Sequence, residues 1–281
     1  MFALDQRTLA PELFRSRLIP GAACFYTLAA LCGIPGLVLL LSPSATAFWQ
    51  EEILLSGITS GLAAWRLIDI AVTIFSCICP AIMAAGLWLA VGKKTLPGMK
   101  LISALPQWLF HGTTITGAMA LAYLIFRSIR YIAYCATKNE GLYLLYTAII
   151  PEALMVTQAW FLWKKLRDFL ESFSDSAASI TYTLVSGKLD SCPIPGFTAT
   201  GFWILAIFGI VLAADRIFTM TIVYSYPNAY YKLLTATHWS QYFAFATLLS
   251  GAVANILTAL YLRRYNRLHE RALYYAKKPQ R

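Results

Sequence analysis

The sequence predicts an all-α fold, a polytopic transmembrane helical bundle with about six spans. Of its 281 residues, 59% are hydrophobic and 13% are charged, whereas a soluble domain has about 25% charged residues. The apolar residues gather into six long segments, and basic residues stand at the ends of these segments. This composition excludes a soluble globular enzyme, a disordered regulator and a disulfide-stapled secreted module.

The first predicted span covers residues 21–41 and is interrupted near Pro35. Residues 1–18 before it mix apolar and basic positions and predict a short amphipathic helix at the membrane surface. A secretory signal cleaved after residues 45–47 is the alternative. Its apolar core would exceed the usual 7–15 residues, so an uncleaved anchor is favoured.

The second and third spans are predicted at residues 65–91 and 107–126. Residues 44–64 contain acids but no Lys or Arg, and predict an external amphipathic helix that leads into the second span. Lysines and a turn at Pro97-Gly98 separate the two spans. Beyond the third span the helix is expected to continue through Tyr134.

The fourth span, residues 142–163, is stopped by Lys164-Lys165. Residues 166–197 form a polar stretch that we expect to be a cytoplasmic loop. Its first half is compatible with a helix. The Cys192-Pro193-Ile194-Pro195-Gly196 run is not, because two prolines remove backbone donors there.

The last two spans are predicted at residues 198–224 and 240–262, followed by a basic C-terminal tail at residues 263–281. Each even-numbered span ends in a basic doublet, which suggests three helical hairpins. The tail carries seven basic residues and one acid, and it should attract anionic headgroups of the lipid bilayer.

The distribution of basic residues predicts the orientation. With both termini in the cytoplasm, seventeen Lys and Arg residues fall on the cytoplasmic side and four outside. Such a bias follows the positive-inside rule and favours an even number of spans in the cell membrane, plasma or inner. The four external residues are Arg127, Arg130, Lys138 and Lys232.

Glu152 is the acid that the sequence places at the midpoint of a span, directly after Pro151. A charge there costs about 2.5–3.5 kcal/mol on insertion scales, and Pro151 should kink the helix. A mid-bilayer carboxyl beside a kink is typical of an ion or proton site. In the alternative interpretation, Glu152 is bonded to Gln158, Asn255 or a Ser or Thr hydroxyl and only helps helices to associate.

Two further charged pairs are candidates for an intramembrane polar site. Asp215 and Arg216 lie in the fifth span, where they line a polar cavity or, in the alternative, Arg216 extends to the headgroups. Arg66 and Asp69 share one helix face near the start of the second span. They form a local ion pair, or Arg66 forms an ion pair with Asp215 or Glu152 across the bundle.

His111 and a cysteine pair complete the set of candidate residues. His111 near the start of the third span could titrate near neutral pH, or it could be a hydrogen-bonded interface residue. Cys77 and Cys79 precede Pro80, a second predicted kink, and two thiolates there could bind a soft metal. Small packing residues beside a kink are the favoured interpretation, so no metal site is predicted.

The sequence carries no zinc-protease, P-loop, nucleophile-elbow or dinucleotide-binding motif, so no catalytic residue and no cofactor are predicted. The leading hypothesis is a transporter or permease-type component with a polar site around Glu152. The alternative is a non-catalytic scaffold or assembly subunit of a larger complex. An intramembrane enzyme is third, and it would need Glu152 and His111 to converge. Expected partners are the bilayer and another membrane protein or a second copy, without nucleic acid.

Overall fold

The computed structural model describes residues 16–40, 77–92, 95–138, 140–186, 196–224 and 231–277. Apart from a few turn residues at helix ends, the secondary structure in these ranges is helical, and no strand occurs in them. The prediction of an all-α protein is therefore confirmed.

Six helices are numbered in chain order. Helix α4 has an α-helical start, a π-helical turn and a long α-helical remainder. The bounds are α1 Leu18–Leu40, α2 Cys77–Val91, α3 Thr95–Ala136, α4 Leu142–Leu144 with Leu145–Ile149 and Ile150–Ser186, α5 Gly196–Tyr224, and α6 Tyr231–Lys277.

Within the described residues, five helices are long and apolar enough to cross a membrane. They are α1, α3, α4, α5 and α6. The shorter helix α2 corresponds to the end of the predicted second span, whose residues 65–76 lie outside the described residues, as do residues 44–64 and 1–15. The described part of the chain thus supports a helical membrane protein without fixing the number of spans at six.

Prolines interrupt the helices less than the sequence predicts. Helix α1 continues past Pro35 to Leu40, and α3 begins at Thr95 and continues through Pro106. The predicted turn at Pro97-Gly98 is therefore wrong: Pro97 lies in the first turn of α3, where no backbone N–H is required. In lipid, a broken helix would leave polar groups without water, so continuing the helix is the less costly solution.

The segment after the fourth predicted span is also more helical than expected. Helix α4 extends to Ser186 and covers the first two thirds of the polar stretch predicted as a loop. The predicted basic tail likewise begins inside α6, which runs on to Lys277. The α4 extension intersperses acidic and apolar residues and the α6 extension basic and apolar residues, and a helix can divide either pattern between two faces.

One compact unit comprises Met1–Ile102 and Ala177–Arg281. In it α6 packs against both α1 and α5. The Tyr26 hydroxyl on α1 donates a hydrogen bond to Oδ1 of Asn255 at 2.7 Å, and Gly36, further along α1, lies next to Phe243, earlier on α6. The two helices therefore run antiparallel.

Helix α2 meets the start of α3 at a very close crossing in the same unit. A Cβ added to Gly98 would lie 2.5 Å from the Gly86 carbonyl oxygen and 2.5 Å from the Ala90 nitrogen. Only a residue without a side chain fits between these two backbones. Gly86 lies beside Ile102 and Gly98 beside Ala90, so α2 and α3 run antiparallel where they cross.

The second unit, Ser103–Ser176, is an antiparallel hairpin of α3 and α4. Ser128 bonds to Glu152 near the turn, and Thr113, earlier on α3, bonds to Trp163, later on α4. The turn contains Gly141 with φ 67° and ψ −139°, a backbone conformation that residues other than glycine rarely adopt.

Candidate functional site

Glu152 lies where α4 changes from a π-helical turn to an α-helix. In the turn Leu145–Ile149, the N–H of Ile150 bonds to the Leu145 carbonyl, five residues back. Pro151 follows at once and has no N–H to offer the Thr147 carbonyl, four residues before it. The wider turn accommodates the proline ring, so the predicted irregularity at Pro151 takes the form of a π-turn.

The Glu152 carboxyl faces α3. Its side chain is 8% exposed, whereas that of Leu154 is 57% exposed on the outer side of the same helix. The Ser128 hydroxyl on α3 donates a hydrogen bond to Oε2 of Glu152 at 2.5 Å. This is a short bond, as expected when the acceptor is a carboxylate.

Other polar side chains continue this face of α3 toward the turn. Tyr131 and Cys135 follow Ser128 at helical spacing, and the Tyr131 hydroxyl hydrogen-bonds with Cys135. A polar stripe thus runs from the buried carboxyl to the exposed end of the hairpin.

At that end, outside the membrane-crossing segments, the Lys138 ammonium donates a hydrogen bond to the Tyr134 hydroxyl and lies 4.5 Å from the centre of its ring. This hydrogen bond raises the pKa of Lys138. The hairpin turn therefore keeps a positive charge fixed at its exposed end.

The hairpin register bears on the depth of Glu152. The sequence places Glu152 at the midpoint of the fourth span, yet it places Arg127 just outside the third. The hydrogen bond between Ser128 and Glu152 shows that Glu152 and the residue next to Arg127 lie at the same height in the hairpin. The carboxyl thus lies at the level of Arg127 and Arg130, two exposed basic residues of α3. Either they enter the membrane beside Glu152, or Glu152 lies nearer the surface than its span predicts.

The other predicted site residues do not join Glu152 in the described hairpin. His111 is exposed on α3, about 25 Å along the helix from Ser128 at 1.5 Å per residue. The convergence of Glu152 and His111 that an intramembrane enzyme would need is therefore not observed. Arg66 and Asp69 lie outside the described residues, and so does the side chain of Asp215. Arg216 is half-buried in α5, which belongs to the first unit.

The cysteine pair and Pro80 lie in the first turn of the described part of α2. Cys77 is buried, and a Cβ added to Gly33 of α1 would come 2.6 Å from its Sγ. This sulfur fills the space that a glycine leaves, as a packing residue does. The described residues contain no group of three or more His, Cys, Asp or Glu that could hold a metal ion.

Sequence reasoning did not identify Ser128 and His269. Ser128 carries no signal of its own, because serine is common in membrane helices and spacing alone does not select its partner. His269 is 1% exposed, with its ring stacked on Tyr265 at 5.9 Å. Neither of its nitrogens has a hydrogen-bond partner in the part of the chain that the structure describes. His269 was missed because it lies in the predicted basic tail, which was expected to be exposed to solvent.

Taken together, long apolar helices and a buried carboxyl between two of them define a helical membrane protein with an internal polar pair. No protein family, no curated protein and no solved structure matches this chain.

Proposed function

We propose that this protein is a transporter or permease-type component of a cell membrane, with both termini cytoplasmic, and that Glu152 reversibly binds a proton or a cation. One observation carries the proposal. A carboxyl that is 8% exposed lies between two membrane-type helices and is bonded at 2.5 Å to a single hydroxyl.

The identity of the partner, a serine hydroxyl, supports the proposal that the Glu152 carboxyl gains and loses a proton. A hydroxyl both donates and accepts hydrogen bonds. Ser128 donates to the ionised carboxylate, and it accepts from the protonated acid after rotation about one bond. The pair thus remains hydrogen-bonded in both protonation states, so a proton can be taken up and released without stranding a buried polar group.

The π-turn before Pro151 supplies a means of movement. Conversion of Leu145–Ile149 to α-helix would rotate the chain before the turn by about 100° relative to the chain after it. Such a rotation would exchange the side chains that meet at Glu152. Under this proposal, the carboxyl is reached from one side of the hairpin in each state, as alternating access requires.

The test uses purified protein reconstituted into liposomes that contain a pH-sensitive dye, with a proton gradient imposed across the membrane. Wild-type protein is expected to dissipate the gradient, and Glu152→Gln is expected to reduce the rate to that of empty liposomes. Glu140→Gln is the matched control, because it removes an exposed carboxyl next to the same hairpin turn. Equal rates for wild type and Glu152→Gln would disprove the proposal.

A scaffold or assembly subunit is the second candidate, and one observation favours it. The most apolar stretch of α3 has none of its residues buried in the described structure, which leaves a long face for lipid or for a partner helix. In this role Ser128 and Glu152 only hold α3 and α4 together. Glu152→Gln would then lower the thermal stability in detergent and would change no flux, and a second membrane protein would co-purify.

A further inference from the structure

A second polar feature lies at the opposite end of the same hairpin, around Arg167. Its guanidinium carbon is 4.9 Å from the centre of the Phe110 ring and 5.4 Å from the centre of the Trp163 ring. Both rings attract the cation through their π-electrons. Arg167 is thus held by one aromatic residue from each helix.

The aromatic partners are themselves fixed. Nε1 of Trp163 donates a hydrogen bond to the Thr113 carbonyl at 2.8 Å. The Trp163 ring lies directly over Gly117, where any added Cβ would overlap the indole. The position of the Arg167 guanidinium is therefore determined before any ligand arrives, so little side-chain entropy remains to be lost on binding.

The charge of Arg167 is not neutralised in the described hairpin. Its Nε is buried and has no hydrogen-bond partner there. The neighbouring acid, Asp168, forms an ion pair with Lys165 at 3.9 Å, and within the described residues no carboxylate lies within ion-pair distance of Arg167. A guanidinium is always charged and presents paired N–H groups, so the missing partner is an anion with several oxygens.

The position of the site along the hairpin selects the kind of anion. Helical side chains lean toward the N-terminus, so the guanidinium lies one turn back, beside Trp163, where the apolar part of α4 ends. Lys164 and Lys165 mark the same level and lie over Trp160 and Phe161. Aromatic and basic residues at the end of an apolar helix stand at the depth of lipid headgroups.

We propose that Arg167, clamped between Phe110 and Trp163, is a binding site for the phosphate of an anionic phospholipid. The guanidinium N–H groups other than the buried Nε–H donate to the phosphate oxygens, and Lys164 adds charge nearby. This proposal is independent of transport through Glu152, because neither residue contributes to the other's contacts.

The experiment compares lipid retention by native mass spectrometry of the full chain in detergent with added phosphatidylglycerol or phosphatidylcholine. Wild-type protein is expected to retain phosphatidylglycerol preferentially. Arg167→Gln should lower that retention about tenfold, the effect of losing a hydrogen bond to a charged group. Lys165→Gln is the matched control, because it removes one positive charge from the same helical turn and should change retention less than about twofold.

Two further arms separate the possible outcomes. Arg167→Lys keeps the charge but loses the planar fork, so it should also release phosphatidylglycerol, and circular dichroism checks that each variant remains helical. Inorganic phosphate should bind weakly and should not displace the lipid. The proposal is overturned if Arg167→Lys retains the lipid fully, if Arg167→Gln and Lys165→Gln behave alike, or if inorganic phosphate alone shows the same dependence on Arg167.

Discussion

At the scale of single residues, the contrast between Glu152 and His269 separates what sequence reasoning can reach from what it cannot. Glu152 was predicted because an acid inside an apolar run is costly and therefore conspicuous. Its partner Ser128 was not, since the pairing depends on how α3 and α4 meet around the turn at Gly141. His269 was missed for a related reason: nothing local distinguishes a buried histidine from an exposed one in a basic helix.

His269→Phe is expected to raise the free energy of unfolding by about 1–3 kcal/mol, because it removes two buried nitrogens without partners and keeps an aromatic ring against Tyr265. The thermal unfolding midpoint in detergent measures this effect. His111→Phe is the control, since His111 is exposed and its replacement should leave the midpoint nearly unchanged. A lower midpoint for His269→Phe would mean that the ring nitrogens are bonded in the folded protein.

At the scale of helices, some of the described helices extend further than the apolar segments of the sequence. The fifth predicted span ends at Tyr224, as α5 does. In contrast, α4 and α6 continue well beyond the ends of their predicted spans, whereas α3 ends at Ala136, close to the predicted Tyr134. Hydropathy marks the part of a helix that lipid surrounds, but a helix ends only where capping or a turn residue ends it. The interruptions predicted at Pro35 and Pro97 were wrong because both prolines are accommodated inside continuous helices.

Gly141→Ala is expected to destabilise the α3–α4 hairpin by about 1–3 kcal/mol, because φ 67° with ψ −139° is a conformation that alanine adopts only under strain. A Cβ there would meet nothing within 4 Å, so the effect is purely conformational. A Cβ added at Gly112 would also meet nothing within 4 Å, but Gly112 lies inside α3, where the backbone is α-helical. Gly112→Ala should therefore stabilise by about 0.5–1 kcal/mol. Denaturant unfolding of both variants checks the opposite signs, and equal effects would contradict the argument.

At the scale of the whole molecule, composition alone indicated an all-helical membrane protein, and the described helices agree. The number of spans and the orientation depend on counting across segments. Seventeen basic residues on one side against four on the other remain the argument for both termini in the cytoplasm. Pairing of charges on distant segments, such as Arg66 with Asp215, is beyond sequence reasoning, because it depends on how helices far apart in the chain pack.

Reporter fusions test the orientation. A fluorescent protein that matures only in the cytoplasm is expected to fluoresce at either terminus, and alkaline phosphatase, active only outside, should be inactive at both. The basis is the positive-inside bias together with an even number of spans. Reporters on opposite sides would require an odd number of spans. In that case either the first or the last predicted segment would not cross the membrane.

The length of α6 has a consequence for the lipid around it. Its 47 residues extend about 70 Å at 1.5 Å per residue, whereas the hydrocarbon core of a bilayer is about 30 Å thick. Since the backbone is hydrogen-bonded along the helix on both sides of the apolar window, a thicker bilayer leaves no N–H or C=O group of α6 unpaired in lipid. Hydrophobic mismatch would then cost only fractions of a kcal/mol per Å, because aromatic and basic side chains next to the apolar window can reorient toward the headgroups. Bilayer thickness therefore changes how many residues of α6 lie in lipid, while the helix itself stays intact.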